Sequence, residues 1–399
     1  MSSDPIRDEI RALELSGIMK IAATALEDPE VIPLWFGESD LVTPEFVRRA
    51  AVRALEAGRT FYAHPRGIVP LREAIRRYLE RLYGIAVHPD RIHVPGSTML
   101  TVTVAGQCLL APGREILLIG PYWPNIRNVA RVCGAAVREV RLEEGPDRWW
   151  LDLDRVAAAI GPRTRAVYVN SPSNPTGWIA SREELAALVA LCRRHGLGLI
   201  SDEVYHRHVL DDPGGVAPSV LPLVEEDEPV FVLNGFSKAW AMTGWRIGWM
   251  VAPRRLVEPL AVLAECDNTG ATVFAQWGAL AALEEPEGEA FVRDFVARCA
   301  RNRDRVMAVL GAHPRVRLLR PEGAFYAFPR IEGLDDGLAF CRRVLAEARV
   351  GIAAGYGFGE GNAAHVRLCF AIAPERLETA LARLLAVLEG EGSAPRRRR

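Results

Sequence analysis

The chain has 399 residues and a mass of 43.9 kDa, and 49% of its residues are hydrophobic while 25% are charged. This composition is typical of a globular protein and excludes extensive disorder. The 49 basic and 50 acidic side chains nearly cancel, so no overall charge would attract nucleic acid or a membrane surface. The length predicts a large domain with a smaller companion domain.

The cysteines and the N-terminus bear on the cellular location. Seven cysteines are widely spaced and form no Cys-x-x-Cys pair, as in reduced intracellular proteins. The segment from Met1 to Arg11 lacks the apolar core of a signal peptide. The longest uncharged stretch, residues 92–113, is interrupted by proline, glycine and threonine. We therefore expect a cytoplasmic protein without a membrane span.

Apolar runs alternate with helical patterns along the first 250 residues. A helix is predicted from Thr43 to Gly58, and Ser181 with Glu184 forms a capping box for a helix that should end at Gly196. Strands are predicted at 115–119, 165–170, 198–202, 230–234 and 247–252. The alternation predicts a mainly parallel sheet flanked by helices.

The pattern changes after residue 253. Arginine- and alanine-rich helical patterns are followed by two strand signals, at 324–328 and 365–370, and by a helix from Pro374, which together predict a smaller α+β domain. The apolar segment 31–36 should pack against this domain rather than face solvent. The predicted division is an N-terminal segment (1–42), a large domain (43–280), a small domain (281–391) and a disordered tail (392–399).

One of the predicted strands is followed by an unusual lysine. The 49 basic residues include only two lysines, Lys20 and Lys238. A lysine amine can lose its proton and condense with a carbonyl, whereas a guanidinium stays charged. Since ligands gather at the carboxyl ends of parallel strands, Lys238 should lie beside the polar segments 170–177 and 201–205 that follow two other strands.

These segments carry recognisable motifs: Asn-Ser-Pro-Ser-Asn-Pro-Thr-Gly at 170–177, Ser-Asp-Glu-Val-Tyr at 201–205, Asn-Gly-Phe-Ser-Lys at 234–238 and Gly-Trp-Arg-Ile-Gly at 244–248. With them the chain resembles, over nearly its whole length, the pyridoxal-phosphate-dependent aminotransferases of fold type I, class I/II. Further matching motifs are Gly37-Glu38-Ser39-Asp40, Thr60-Phe61-Tyr62, Gly96-Ser97-Thr98, Pro121-Tyr122-Trp123, Gly323-Ala324-Phe325-Tyr326 and His365-Val366-Arg367. The resemblance implies an α/β fold of this type, with a mostly parallel sheet flanked by helices in a large cofactor-binding domain and a smaller α+β domain.

The resemblance also implies how pyridoxal 5'-phosphate is held. Lys238 would condense with its aldehyde and, once the substrate amine has released it, carry the proton between substrate and cofactor. Asp202 would keep the pyridine nitrogen protonated. Tyr205 and Asn174 would donate hydrogen bonds to the phenolate oxygen, and Trp123 would stack on the ring.

The phosphate group calls for a helix N-terminus and a fork of donors. The residues Gly96, Ser97 and Thr98 open a predicted helix whose amides and two hydroxyls suit this group. Arg246 could bind the phosphate bidentately, and its apolar neighbours predict that it is buried. Tyr62 matches a residue that in the family reaches the phosphate of the neighbouring subunit, which implies a homodimer with composite sites.

Substrate recognition is expected from residues at both ends of the chain. Arg367, inside an apolar strand pattern, resembles the family's fork for the substrate α-carboxylate, and Gly37 matches the glycine that closes over the same group. Asn174 and Trp123 would also contact the substrate. Some relatives specific for dicarboxylic amino acids have a lysine near the position of Thr98, and its absence here argues against an aspartate preference, although an arginine of the other subunit could still bind an acidic side chain. The predicted side-chain pocket is apolar, with Ile18, Trp35, Phe36, Trp123 and Phe325 around it.

Two histidines next to this site could suggest a metal. His206 and His208 follow Asp202 and Glu203, but Asp202 is needed at the pyridine nitrogen. We expect solvated loop histidines and no metal.

The sequence thus predicts an aminotransferase that passes the amino group of a neutral or aromatic L-amino acid to a 2-oxo acid by a ping-pong mechanism. Another pyridoxal-phosphate reaction on the same fold (β-lyase, decarboxylase or oxidase) and aspartate as the preferred donor are the alternatives. A regulator with an aminotransferase-like ligand domain belongs to a third class. Such regulators carry a DNA-binding module ahead of that domain, whereas the motifs here begin near Ile32. The expected partners are therefore the two substrates and a second copy of the chain, without nucleic acid or membrane.

Overall fold

A computed structural model describes residues 5–392 of the chain. The α-helices within this range are Asp8–Arg11, Gly17–Ala22, Glu45–Glu56, Val69–Tyr83, Thr98–Leu109, Asn125–Val132, Leu153–Ala159, Arg182–His195, Phe236–Ala239, Val257–Asn268, Val273–Glu284, Pro286–Leu310, Gly337–Ala348 and Pro374–Gly392. Within the same residues no helix is both long and apolar enough to cross a membrane. Apart from Gly392, the predicted disordered tail (392–399) lies outside the described residues.

A seven-stranded sheet forms the centre of the molecule. Its strands are β1 (Ile92–Gly96), β2 (Glu115–Gly120), β3 (Ala136–Arg141), β4 (Thr164–Asn170), β5 (Gly198–Asp202), β6 (Val230–Gly235) and β7 (Gly248–Val251). They lie in the order β1-β7-β6-β5-β4-β2-β3, and only β7 runs antiparallel to its neighbours. The expectation of a mainly parallel α/β fold is therefore confirmed.

The chain between β6 and β7 explains the direction of β7. Only residues 236–247 connect the two strands, and they form the short helix Phe236–Ala239 and a 3-10 turn at Thr243–Trp245. A parallel neighbour requires a crossover long enough for a packed helix, which this segment does not provide. The short connection also keeps Lys238 close to the end of β6.

The strands in the middle of the sheet are buried because helices cover both of their faces. Every residue of β5 and β6 is buried, as their continuous apolar runs predict. The edge strand β3 is largely accessible instead. The helix Arg182–His195 begins with the predicted Ser181 capping box and ends at Gly196 in the left-handed conformation.

Short strands join the N-terminal segment to the C-terminal part of the chain. Ile32–Pro33 pairs in parallel with Val350–Gly351, and the Trp35 ring lies so close to Gly351 that a Cβ there would overlap it. The strand Val366–Cys369 lies between Tyr326–Ala327 and Ala353–Ala354. The remaining pairs are Val316–Arg317 with Arg330–Ile331 and Glu143–Glu144 with Trp149–Trp150.

The predicted domain limits remain a prediction. The helix Val273–Glu284 runs across residue 280, where the large domain was expected to end. It packs against helix Glu45–Glu56. A break in the helical structure follows at Glu285, before helix Pro286–Leu310 begins.

Candidate active site

The carboxyl ends of β4, β5 and β6 open into a cavity of about 540 Å³. Nine of the twelve predicted site residues line it: Gly37, Thr98, Trp123, Asn174, Asp202, Tyr205, Lys238, Arg246 and Arg367. The other three do not line the cavity of the single chain. Gly96 ends β1 opposite Gly248, Ser97 caps the next helix, and the Tyr62 side chain is 89% exposed.

Lys238 extends into the cavity from the short helix that follows β6. Its Nζ donates a hydrogen bond of 2.5 Å to the carbonyl of Gly37. Burial lowers the pKa of this amine to about 8, because little water is available to solvate the ammonium form. The amine can therefore become a nucleophile or a base close to neutral pH.

Asp202 is the last residue of β5 and is 5% exposed. Burial raises the pKa of its carboxyl to about 6, although the hydrogen bonds that it accepts and the charge of Lys238 act in the opposite direction. The Tyr168 hydroxyl donates to Oδ2 at 2.8 Å, and the backbone amide of Val204 donates to Oδ1 at 3.3 Å. At neutral pH the site thus contains a buried, oriented carboxylate.

Arg367, in the strand Val366–Cys369, also lines the cavity and is 1% exposed. Its Nη1 donates to Oδ1 of Asn174 at 3.3 Å, and its Nη2 donates to the carbonyl of Trp35. Within residues 5–392 no carboxylate forms an ion pair with this guanidinium, and its buried Nε has no hydrogen-bond partner. A buried cation with only neutral partners is well suited to bind an anionic ligand.

Asn174 is itself held by its own loop. Its backbone amide donates to Oδ1 of Asn170 at 2.8 Å, and Nδ2 of Asn170 donates to the carbonyl of Asp202 at 2.8 Å. The ends of β4 and β5 are thereby tied together. This contact fixes the spacing between the carboxylate of Asp202 and the amide of Asn174.

The residues that the sequence assigned to the cofactor phosphate differ from the prediction in two respects. Ser97 caps the helix Thr98–Leu109, but the Thr98 hydroxyl donates its one proton to the carbonyl of Asn234 at 3.0 Å. Only one of the two hydroxyls is therefore available as a donor. Arg246 is exposed, so the prediction that it is buried is wrong. It lies at the left-handed end of a tight turn, where its Nη1 donates to the carbonyl of Thr243.

The expectation of solvated histidines is also wrong. His206 is 1% exposed, and its Nε2 lies 2.7 Å from the Tyr78 hydroxyl. His208 is fully buried, with its ring edge-on to Tyr205 and Phe325, and burial lowers its pKa to about 3. Both histidines are therefore neutral packing residues next to the cavity.

The apolar wall of the cavity contains only part of the expected set. Ile18, Phe36 and Trp123 line the cavity, together with Met99 and Val102. Trp35 and Phe325 do not, so the prediction is wrong for these two. The Trp35 ring packs on Gly351, and the Phe325 ring packs on Tyr205 and Phe295.

Several cavity contacts could not be expected from the motifs. Tyr168 touches Asp202, yet β4 is almost continuously buried, so alternation does not distinguish its two faces. Glu38 lines the cavity mouth and accepts a hydrogen bond from Thr243 at 3.1 Å. In the sequence, Tyr326 is recognised only as part of the motif at 323–326. In the structure its hydroxyl lies 2.5 Å from that of Tyr205.

Comparison with known proteins agrees with this geometry. The family described as aminotransferase class I and II matches residues 29–384. The chain belongs to this family. The aminotransferase is 36% identical over 390 residues to the aspartate/prephenate aminotransferase of Thermus thermophilus, covering 95% of this chain and 97% of that one. It is 38% identical over 359 residues to the arginine–pyruvate transaminase of Pseudomonas aeruginosa, covering 89% of each.

A solved structure extends the likeness to the fold. The aspartate aminotransferase of Thermus thermophilus with maleate superposes with a TM-score of 0.86 at 34% identity, covering 96% of this chain and all of that one. The aminotransferase thus has the fold type I architecture of the family and is a pyridoxal-phosphate-dependent enzyme.

The cavity fits this cofactor. It combines an amine with a lowered pKa, a buried carboxylate, the aromatic ring of Trp123 and, at the exposed side, Arg246. These groups match the aldehyde, the pyridine nitrogen, the ring face and the phosphate in chemical type. When bound, pyridoxal phosphate withdraws electrons from the bonds to the substrate α-carbon and makes the α-proton acidic.

Proposed function

We propose that the enzyme is a homodimer in which L-amino acids with neutral, apolar or aromatic side chains donate the amino group to a 2-oxo acid. The observation that supports this class of donor is the set of cationic side chains that line the cavity. Among the described lining residues these are Lys238, Arg246 and Arg367. Each has a task in the mechanism, so none of the described lining residues supplies a further cation for a second substrate carboxylate. Glu38 at the mouth would repel one.

The proposed roles of the residues follow from their positions. Lys238 binds the cofactor aldehyde and, when free, moves the substrate α-proton. Asp202 keeps a proton on the ring nitrogen, because a buried carboxylate stabilises the cation opposite it. Arg367 binds the substrate α-carboxylate, and Tyr205 donates to the cofactor's phenolate oxygen. Support comes from the cavity lining and from the distances given above.

The remaining proposed contacts lie around the cofactor. Trp123 covers the ring face. Asn174 contacts both the phenolate oxygen of the cofactor and the α-carboxylate of the substrate, and Gly37 closes over the substrate. Arg246 and the start of helix Thr98–Leu109, with Gly96 and Ser97 before it, hold the phosphate. The capped helix end and the exposed guanidinium support this assignment.

A basic donor is a second candidate. The carboxylate of Glu38 at the mouth could pair with a cationic side chain. The Pseudomonas aeruginosa relative is named an arginine–pyruvate transaminase. Glu38 also accepts a hydrogen bond from Thr243, which would hold it in place for such a contact.

The donor is tested by single-turnover conversion of the holoenzyme with L-phenylalanine, L-leucine, L-arginine and L-aspartate. The first two should exceed aspartate in kcat/KM by at least about tenfold, because a mismatched charge is rejected more strongly than an extra methylene. Glu38→Gln should leave phenylalanine unchanged, improve aspartate and weaken arginine. A tenfold advantage for aspartate would contradict the apolar pocket, and an advantage for arginine that Glu38→Gln removes would establish the second candidate.

The same experiment tests the type of reaction. Transamination yields keto acid and pyridoxamine phosphate in equal amounts. Keto acid and ammonia without pyridoxamine phosphate, or carbon dioxide release, would support a lyase, oxidase or decarboxylase instead.

The proposed homodimer would complete the site at its exposed side. Phe61 and Tyr62, which are neighbours in sequence, are 82% and 89% exposed, and Val42 is 73% exposed; such exposure of large apolar side chains is typical of a contact surface. Mixing inactive Tyr62→Ala and Lys238→Ala subunits tests this arrangement. If Tyr62 serves the other subunit, a mixed dimer has one site with both lesions and one intact site, so activity returns. No recovery after verified subunit exchange would show that each site is built from one chain.

A cytoplasmic location is also proposed. All seven cysteines are free thiols in the structure. Such thiols persist in a reducing compartment. Fractionation of the source cells with activity in the cytosolic fraction is the expected result.

A further inference from the structure

Tyr326 lies between the two groups proposed to bind cofactor and substrate. It begins the short strand Tyr326–Ala327 and pairs with Cys369, two residues after Arg367. Its side chain is inaccessible to solvent and forms part of the cavity wall. The function assigned above gives this residue no task.

Its hydroxyl makes a close contact with Tyr205. The two phenolic oxygens are 2.5 Å apart, and each hydroxyl has one proton. When one hydroxyl donates to the other, the proton of the second is free to point elsewhere. If Tyr326 donates to Tyr205, the Tyr205 proton is free to point into the cavity, which Tyr205 lines.

The surroundings favour Tyr326 as the donor. The guanidinium carbon of Arg367 lies 4.7 Å from the centre of the Tyr326 ring. Burial raises the pKa of both hydroxyls, and this cation offsets the rise for both, but it packs against the Tyr326 ring, which makes Tyr326 the more acidic of the pair. The more acidic hydroxyl donates the hydrogen bond.

The ring of Tyr326 has a separate effect on Arg367. The guanidinium lies against the faces of two rings, at 4.7 Å from Tyr326 and 5.2 Å from Phe358. Aromatic faces hold a desolvated cation in place without pairing it with an anion. The guanidinium therefore keeps its charge available for a ligand.

Tyr326 also sets the position of the loop that contains Gly37. A Cβ at residue 37 would overlap the Tyr326 hydroxyl, so only glycine permits this approach. The carbonyl of Gly37 in turn accepts the hydrogen bond from Lys238.

We propose that Tyr326 is a positioning residue with two separable parts: its hydroxyl directs the Tyr205 proton to the cofactor's phenolate oxygen, and its ring holds Arg367 for the substrate α-carboxylate. The inference rests on the proposed roles of Tyr205 and Arg367. It links the cofactor end of the cavity to the substrate end through one side chain.

Two variants of the holoenzyme separate the parts. Tyr326→Phe keeps the ring and removes the hydroxyl, while Tyr326→Leu removes both. The first readout is the pH titration of the bound cofactor's absorption band, and the second is KM for L-phenylalanine and L-leucine. Tyr78→Phe is the matched control, because Tyr78 is a buried tyrosine whose hydroxyl contacts His206 outside the cavity.

Tyr326→Phe should raise the apparent pKa of the band by about one unit, since the Tyr205 proton is no longer directed to the phenolate oxygen, and should leave KM within about twofold of wild type. Tyr326→Leu should show the same shift and a KM raised roughly tenfold for both donors. Tyr78→Phe should change neither. In the double variant Tyr205→Phe/Tyr326→Phe the shift should not exceed that of Tyr205→Phe alone.

An unchanged titration in Tyr326→Phe, or additive shifts in the double variant, would overturn the hydroxyl's role. An unchanged KM in Tyr326→Leu would overturn the ring's role. These outcomes presuppose a wild-type band that titrates. The proposed function can fail separately: if L-phenylalanine and L-leucine gave no pyridoxamine phosphate in a single turnover of the wild-type enzyme, it would be refuted, and the inference with it.

Discussion

The two lysines of the chain lie in opposite environments. Lys20 lies in the last turn of the short helix Gly17–Ala22, and its Nζ is 2.7 Å from the carboxylate of Glu14, which raises the pKa of the amine. Lys238 meets a neutral carbonyl inside the cavity, and burial lowers its pKa to about 8. One amine is held as a cation and the other is close to releasing its proton.

The difference shows that reactivity comes from the surroundings of a side chain. At pH 7 a pKa of about 8 leaves about one amine in ten neutral, whereas an ordinary lysine leaves fewer than about one in a thousand. Only the neutral amine condenses with an aldehyde. The sheet edge that buries Lys238 therefore selects it over Lys20.

Removing each lysine in turn gives the largest expected contrast. Lys238→Ala should lower kcat by at least about 10⁴-fold, because both the covalent bond to the cofactor and the proton carrier are lost. Lys20→Ala should remain within about twofold of wild type. Steady-state kinetics at saturating donor decides between them, and full turnover in Lys238→Ala would contradict the assignment.

The neighbouring carboxylates offer a second contrast. Asp202→Asn should fold normally, because an amide oxygen can still accept the Tyr168 hydroxyl, but kcat should fall by about 10²- to 10³-fold as the buried charge is lost. Glu203→Gln is the control, since Glu203 is equally buried but bonds to Ser201 and the Val220 amide. Near-wild-type kcat in Asp202→Asn would refute its role.

Substitution of Arg367 should have a smaller effect than substitution of Lys238 or Asp202. Arg367→Lys keeps the charge but loses the fork, so KM should rise about 10- to 100-fold for every amino donor. The rise should be the same for phenylalanine and aspartate, because all donors share the α-carboxylate. A rise confined to one donor would assign Arg367 to the side-chain pocket instead.

The pH dependence of cofactor binding distinguishes Lys238 from an ordinary lysine. Because the pKa of Lys238 is lowered, its amine is mostly protonated below pH 8 and mostly neutral above it. The rate at which apoenzyme captures pyridoxal phosphate should rise about tenfold per unit up to pH 8 and then level off. Stopped-flow absorbance measures it, and a rate still rising to pH 10 would indicate an ordinary lysine.

Local patterns predicted much of the fold. The strand Gly198–Asp202 has its predicted bounds, and the Ser181 capping box is present, because periodicity and capping depend on neighbours in sequence. The position of Lys238 beside Asp202 followed from the rule that strand ends share an edge. The antiparallel direction of β7 was not predicted, because the pattern within a strand does not specify how it pairs with its neighbours.

Contacts between distant segments were harder to predict. The burial of His206 and His208, the packing of Trp35 on Gly351 and the contact of Tyr168 with Asp202 all join residues that local patterns treat separately. Burial of Arg246 was inferred from its neighbours, yet a positive φ at this residue turns the side chain to the exposed side of the cavity.

The most direct test of the account is to find which lysine carries the cofactor. The purified holoenzyme is reduced with borohydride, which makes the bond between amine and cofactor permanent, and its peptides are mapped by mass spectrometry. The pyridoxyl group is expected on the peptide that contains Lys238, and the peptide that contains Lys20 should be unmodified. A pyridoxyl group on Lys20, or an unmodified Lys238, would contradict it.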